Sequence, residues 1–375
     1  MRALVMAWFV PLLGIGQAIH RMCLALDTVL FPGFRKVDVS APVLMMGIPR
    51  SGTTFLHRVL SKDTDTFTTF SLWELMFAPS IVERKMFLGL AVIDKTLGGS
   101  GQRLLRWADR RFFAEVRKIH HVSLFEPEED DLVLFPIFGS LFLLFPFPFE
   151  EELWHYARFD TETPRAERER IMRFYRECVQ RHLYVHGTDK IFLSKNPTFS
   201  SKVDSLRETF PDARLICNVR TPYEAAPSLL SFLTFSWRKF RNDDCGFGFR
   251  DMILKLTGYW YRWPMERLPK WPDFQHEFVL YDELRARPRE VVEELYERFG
   301  LSISPRFHAV LDEEEARAQA YESRHEYSLE QYSLSEDSIL EQYEDVFEYY
   351  GFDKRRVTED IAGTERLVGA ASVDV

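Results

Sequence analysis

A strand, a tight turn and a helix start share one short stretch, VLMMGIPRSGTTFLHRVL, residues 43–60. Residues 43–46 are continuously apolar, the pattern of a buried parallel strand. Gly47 and Gly52 follow with the G-x-x-x-x-G spacing of a phosphate-binding loop, and 52–60 carries helical periodicity. Glycines let the chain approach a ligand closely, and the amides at a helix start attract anions. Two features depart from the nucleoside-triphosphate form of this loop. Thr53 stands where that form keeps its lysine, and the cation has moved inside the loop, as Arg50. Taken alone, such a loop is more often a plain strand–helix turn.

The same alternation recurs downstream. KIFLSKNP (190–197), DARLICNVR (212–220) and HEFVLYDEL (276–284) read as strands, followed by helices over 200–210, 222–233 and 288–299. This order predicts an α/β fold, a P-loop-NTPase-like parallel sheet flanked by helices. Residues 70–190 and 300–375 carry mostly helical patterns, among them 104–116 and 163–186, and supply additional helical segments beside the sheet. The stretch 128–144 is acidic and then apolar, which predicts a helix starting near Pro127. Arg50, Lys195 and Arg220 fall at the tips of three strands, the rim where open α/β sheets bind ligands. Ser228, eight residues after Arg220 and inside the next helix, is placed to help Arg220 grip one phosphate from two sides.

Net charge and cysteines narrow the function class. At −9, with no basic run to outweigh it, the chain argues against a nucleic-acid partner. Cys23, Cys178, Cys217 and Cys245 lie far apart, without metal or redox spacing, which predicts reduced thiols in a cytoplasmic compartment. No glycosylation sequon occurs, because Asn196 precedes Pro197. Residues 3–16 are apolar throughout but shorter than the ~20 residues of a spanning helix. Pro11 and two glycines weaken that stretch as a helix, and no cleavage site follows. The expectation is a segment lying on a membrane surface through residues 3–19, or packed on its own domain. The chain then divides into an N-terminal segment (1–40), a main domain (41–355) and a C-terminal tail (356–375).

The combination resembles one family. PRSGTT after an apolar strand is similar to the 5′-phosphosulfate loop of sulfotransferases that use 3′-phosphoadenylyl sulfate (PAPS). NVRTP…PS is similar to their 3′-phosphate motif, and LSKNP to the Lys-Ser/Thr-Pro element of several branches. FPDARLICNVRTP and YDELRARPREVVEELYERFGL extend the likeness from about residue 43 to about residue 351, nearest the branch with bacterial and membrane-associated members. The resemblance implies that Arg50, Ser51, Gly52, Thr53 and Thr54 hold the 5′-phosphosulfate. It implies that Arg220 and Ser228 hold the 3′-phosphate and that Lys195 touches the sulfuryl or bridging oxygen. PAPS is then the donor and 3′-phosphoadenosine 5′-phosphate (PAP) the product, with no metal required.

Two residues compete for the base that deprotonates the acceptor. Glu74, in SLWELMFAPS, stands where several branches keep a catalytic Glu. His120, in RKIHHVSLFEPEED, resembles the K-x-H element of the cytosolic branch and suits neutral pH better. That branch's late Arg-Lys-Gly element is absent after residue 240, with Arg324 a candidate substitute. The stretch 135–154, FPIFGSLFLLFPFPFEEELW, reads as core packing, as an acceptor pocket for a small or lipid-like apolar alcohol, or as a membrane-facing lid. Two rivals remain open: a P-loop nucleotide kinase or NTPase, and a catalytically inactive membrane-associated scaffold with the same fold.

Overall fold

The computed structural model describes residues 2–114, 117, 122–240, 242, 245–319 and 329–354. Five parallel strands form one sheet in the order β2-β3-β1-β4-β5. They are β1 Val43–Gly47, β2 Phe67–Thr68, β3 Ile191–Lys195, β4 Arg214–Val219 and β5 His276–Leu280. β1 lies in the middle, paired with β3 on one side and β4 on the other. That is the topological switch point, where the loops that leave neighbouring strands diverge and open a crevice.

Strand alternation explains the two layers of core. Val43, Met45, Leu193, Ile216 and Val279 point to one side, against α2 (Thr53–Leu60) and the helices Pro288–Arg298 and Pro305–Gln319. Leu44, Met46, Phe192, Leu215, Cys217 and Val219 point to the other, where a larger core forms. That core includes Tyr175 and Cys178 of α6 (Arg165–His186) and Ala225 of α7 (Pro222–Lys239). Buried on both faces, the strands need the continuous apolar runs that the sequence carries.

Several element boundaries differ from expectation. The strand expected over 276–284 ends at Leu280, and a helix, Tyr281–Ala286, begins at once. The helix expected over 104–116 is Ser100–Phe112, here α5. No helix starts near Pro127; 3₁₀ turns cover Asp130–Ile137 and Leu141–Leu144 instead. Pro136 interrupts the ladder, and Phe138 turns into the left-handed region with φ 55°. Two of the four acidic residues that suggested a helix start, Asp130 and Asp131, face inward. Asp130 accepts from the Tyr175 hydroxyl at 2.6 Å, and Asp131 meets Lys202 at 3.0 Å and the Leu141 amide at 2.8 Å.

The N-terminus is also a correction. α1 runs unbroken from Arg2 to Leu30, through Pro11 and both glycines. Docking along its length offsets the hydrogen bond lost at Pro11. Phe9 packs tilted against Phe147 and edge-on against Phe240, with centroids 6.4 and 5.1 Å away, and His20 Nδ1 lies 2.7 Å from Glu83 of α4 (Ile81–Thr96). Asp27 accepts from the Ile81 and Val82 amides at 2.9 and 3.0 Å, capping α4, and from Arg181 Nε at 3.0 Å.

Candidate active site

The loop after β1 is held by close backbone approach. A Cβ on Gly47 would stand 2.1 Å from the Asn218 carbonyl oxygen, so β1 and β4 meet there only because that side chain is missing. Gly52 has φ +83°, and a Cβ there would press on Leu284 and Tyr281 at 3.1 and 3.2 Å. Between them Arg50 adopts φ 74°, a left-handed conformation uncommon for a non-glycine residue. The turn then delivers the chain into α2, whose first amides have no acceptor inside the helix.

Arg50 and Arg220 come together across this crevice. The Arg220 guanidinium donates to the Arg50 carbonyl at 3.1 Å, pairs with Glu224 at 2.7 Å and lies 4.2 Å over the Tyr281 ring. Arg50 Nε reaches Ser228 Oγ at 3.3 Å. Pro49, Arg50, Gly52, Thr53, Thr54 and Arg220 all line one cavity of about 810 Å³, within the usual size of a small-molecule site.

Not every expected residue faces that cavity. Ser51 is fully buried, and its hydroxyl donates to the Asn218 carbonyl at 3.1 Å. It therefore ties the loop to β4 instead of offering a hydroxyl to a ligand. Ser228 is buried behind Arg50 and holds that side chain. Lys195 is buried too, and register explains why. Its Cα pairs with Met45, two residues short of the strand end, so its side chain stays under the loop. Its ammonium meets Thr54 Oγ1 at 3.3 Å, Glu128 at 3.1 Å and Glu129 at 3.1 Å. Burial draws the Lys195 pKa down, but the Glu128 and Glu129 carboxylates outweigh it and the net shift is upward.

The two proposed bases fare differently. Glu74 is off the cavity wall, 2% exposed, in a capping box at the start of α3 (Leu72–Phe77). Its carboxylate lies 2.7 Å from His186, 3.4 Å from His182 and 3.4 Å from Arg84. Burial alone would raise its pKa, but the two histidines and Arg84 hold it well below the usual carboxylate range. The three His and Glu groups bring ligand-type atoms within 4.8 Å of one another, but the Arg84 guanidinium already balances the charge there. Glu74 is a structural ion-pair residue. His120 and Arg324 lie outside the described residues.

One carboxylate on the cavity wall, Glu129, does not stand out in the sequence. It is half-buried on the cavity wall and shares Lys195 with Thr54 of the loop. Its signal, the acidic cluster EPEED, is easily taken for a helix start. Glu126, also on the wall, pairs with Arg58 of α2. Away from this polar end the wall turns apolar. Leu141, Phe142, Leu144, Phe145 and Trp154 contribute from the aromatic stretch, and Phe232, Leu233 and Trp237 from α7. Leu141 and Leu144 also belong to the larger core, so that stretch both packs the interior and lines the cavity.

A phosphate-type loop, two strand-tip arginines and an apolar chamber define a group-transfer enzyme of P-loop-like architecture. The Sulfotransferase family matches residues 42–305, and the chain belongs to that family. Solved sulfotransferase structures share its fold. Sulfotransferase STF9 from Mycobacterium avium superposes with a TM-score of 0.71 at 17% identity, covering 90% of this chain and 84% of that one. Sulfotransferase STF1 from Mycobacterium tuberculosis gives 0.63 at 19% identity, over 88% and 83%. No curated protein matches the sequence.

Proposed function

We propose that the chain transfers a sulfuryl group from PAPS to the hydroxyl of an apolar acceptor and releases PAP. The observation that carries this reading is the joining of Arg50 and Arg220 on neighbouring strand tips, both facing one cavity whose far end is apolar. The residues present suit the donor. A loop closed to side chains at Gly52 leaves backbone amides free to meet the 5′-phosphosulfate, with Arg50 adding charge. Arg220 supplies a forked guanidinium for the 3′-phosphate, the group that separates PAPS from ATP or ADP.

In the reaction the acceptor oxygen attacks sulfur. A new O–S bond forms as the bond from sulfur to the bridging phosphate oxygen breaks in line, and PAP leaves with the electron pair. Positioning and charge stabilisation on the departing oxygen supply most of the rate, as in phosphoryl transfer. The acceptor proton goes to Glu129, whose carboxylate stands on the cavity wall and is linked through Lys195 to Thr54. Lys195 is a positioning residue, holding Thr54 and Glu129 in fixed relation. The aromatic and aliphatic wall selects an acceptor whose body is apolar around its hydroxyl.

Thermal shift with PAP, ADP and Mg·ATP tests the donor. A ligand at ~100 times its Kd adds about 2.7 kcal/mol to apparent stability. Stabilisation by PAP without metal, a smaller effect of ADP, and loss of the difference in Arg220→Ala are expected. Stabilisation by Mg·ATP but not PAP would transfer the loop to a kinase or NTPase.

A further inference from the structure

α1 is built inside out. Its buried positions are Gln17, His20, Cys23, Leu24 and Asp27, a largely polar stripe turned toward the protein. The opposite stripe, beginning Leu4, Trp8, Leu12, Ile15, Ile19 and continuing to Leu30 at helical spacing, is apolar and exposed, with Trp8 75% accessible. A helix that belonged to a water-facing surface would turn the other way. From Leu4 to Leu30 the stripe runs about 40 Å. The helix is long and apolar enough to cross a membrane. Yet it is docked on the body from Phe9 to Asp27, and Arg2 lies over Phe149 at its start.

The surface does not end with α1. α4 packs on both α1 and α5, and the α4–α5 arm buries only Ile81, Glu83, Arg84 and Asp109 of its own residues. Its apolar side chains stand in the open, among them Leu97 at 76% and Phe112 at 80% exposure. The charge on these three helices is one-sided. In α5 the exposed ionic residues are Arg103, Arg106, Arg110 and Arg111; in α4 they are Lys85 and Lys95, and in α1 Arg21. The acids of the three helices are turned inward or engaged. Asp27, Glu83 and Asp109 are buried, and half-buried Asp94 accepts from the Gly101 and Gln102 amides at the start of α5. This occurs in a chain whose net charge is −9.

We infer that α1, α4 and α5 form a docking face for an anionic lipid bilayer, with α1 lying in the interface plane instead of spanning. Apolar stripes flanked by arginine and lysine are the chemistry of interfacial helices on acidic headgroups. Phe9 rests on Phe147, two residues beyond the cavity-lining Phe145, so the face adjoins the apolar end of the cavity. The docking itself does not depend on the identity of the sulfuryl donor.

The test is flotation of the full chain, translated cell-free beside vesicles of phosphatidylcholine alone or mixed with phosphatidylglycerol. The chain is expected to float with the anionic vesicles, to float several-fold less at high salt, and to be stripped by alkaline carbonate. Neutralising Arg103, Arg106, Arg110 and Arg111 to Gln should lower binding by about a hundredfold or more. Leu12→Glu with Ile19→Glu should abolish it while circular dichroism stays helical, since both side chains are exposed. The salt series on the unaltered chain reads the charge contribution even if a variant fails to fold. Resistance to carbonate would overturn the interfacial placement in favour of a span. Failure to float on either vesicle, with a stable dimer in scattering, would assign the face to a second copy. Equal flotation on both vesicles without salt dependence would remove the anionic requirement.

Discussion

At the residue scale the loop after β1 depends on a side chain that is missing. Gly52→Ala forces a left-handed residue, costing about 1–2 kcal/mol, and sets a methyl against Leu284 and Tyr281. The Tyr281 ring carries Arg220, so the strain reaches the second arginine. Loss of PAP-induced thermal stabilisation is expected, alongside a measurable drop in the ligand-free midpoint. Unchanged PAP binding would separate Gly52 from the site. Glu129→Gln keeps the shape and leaves Glu128 on Lys195. A fall in kcat of about 10²–10⁴ with KM little altered is the signature of a lost base; a variant with full kcat would return the base to the segment containing His120. Arg50 and Arg220 were legible because a strand end and a glycine spacing fix where they sit. Ser51, Ser228 and Lys195 were legible as neighbours of the site but not in direction. A one-dimensional motif carries no register, and only the Lys195–Met45 pairing puts that ammonium beneath the loop.

At the element scale the strands were readable and the 3₁₀ segment was not. Strands buried on both faces leave an uninterrupted apolar run, whereas Asp130–Ile137 combines acids and apolar residues as a helix start would. What decides its structure is long-range: Tyr175, Lys202 and Thr198 take the two carboxylates inward. The two acids are then shifted in opposite senses. Burial pushes Asp130 up to about 7, with the Asp131 charge adding and the Tyr175 hydrogen bond opposing. Burial also acts on Asp131, but Lys202 and its hydrogen bonds hold it below the ordinary value. Between about pH 4 and 7 the folded chain binds the Asp130 proton more tightly than the unfolded chain does. Asp130 therefore withdraws stability as pH rises through that window, by up to about 4 kcal/mol. Asp131 works the other way, contributing stability that is lost as pH falls below the ordinary carboxylate value. Asp130→Asn keeps an acceptor for Tyr175 and removes the titration. Relative to the unaltered chain, urea midpoints should rise from pH 5 to pH 7; a pH-independent difference would mean that Asp130 is ionised in the fold.

At the scale of the whole molecule, one carboxylate joins parts that the sequence keeps far apart. Asp27, near the end of α1, caps α4 through two amides and neutralises Arg181 near the C-terminal end of α6, where Ile81 and Arg181 are buried and Val82 is partly so. α6 in turn packs on the larger core beneath the sheet, through Tyr175, Cys178 and Val179. The N-terminal helix, the outer arm and the catalytic domain are therefore one mechanical unit, fastened at a residue that no sequence motif marks. Removing the carboxylate leaves Arg181, with 3% side-chain exposure, without its principal counterion, though Glu177 remains at 3.3 Å. Breaking a buried pair on one side typically costs about 3–5 kcal/mol, and the lost helix cap adds about 1 kcal/mol. Asp27→Ala should thus lower the urea midpoint strongly, while Asp27→Asn, with one acceptor oxygen for the α4 amides, should recover only part of the cap. Hydrogen exchange gives the sharper reading. If the unit is coupled as the contacts indicate, the alanine variant will lose protection in α1 and α4 together, with the β1–β4 amides of the sheet centre still slow. Loss confined to α1 would show instead that the helix is an independent appendage, and that the arm is held by α6 alone.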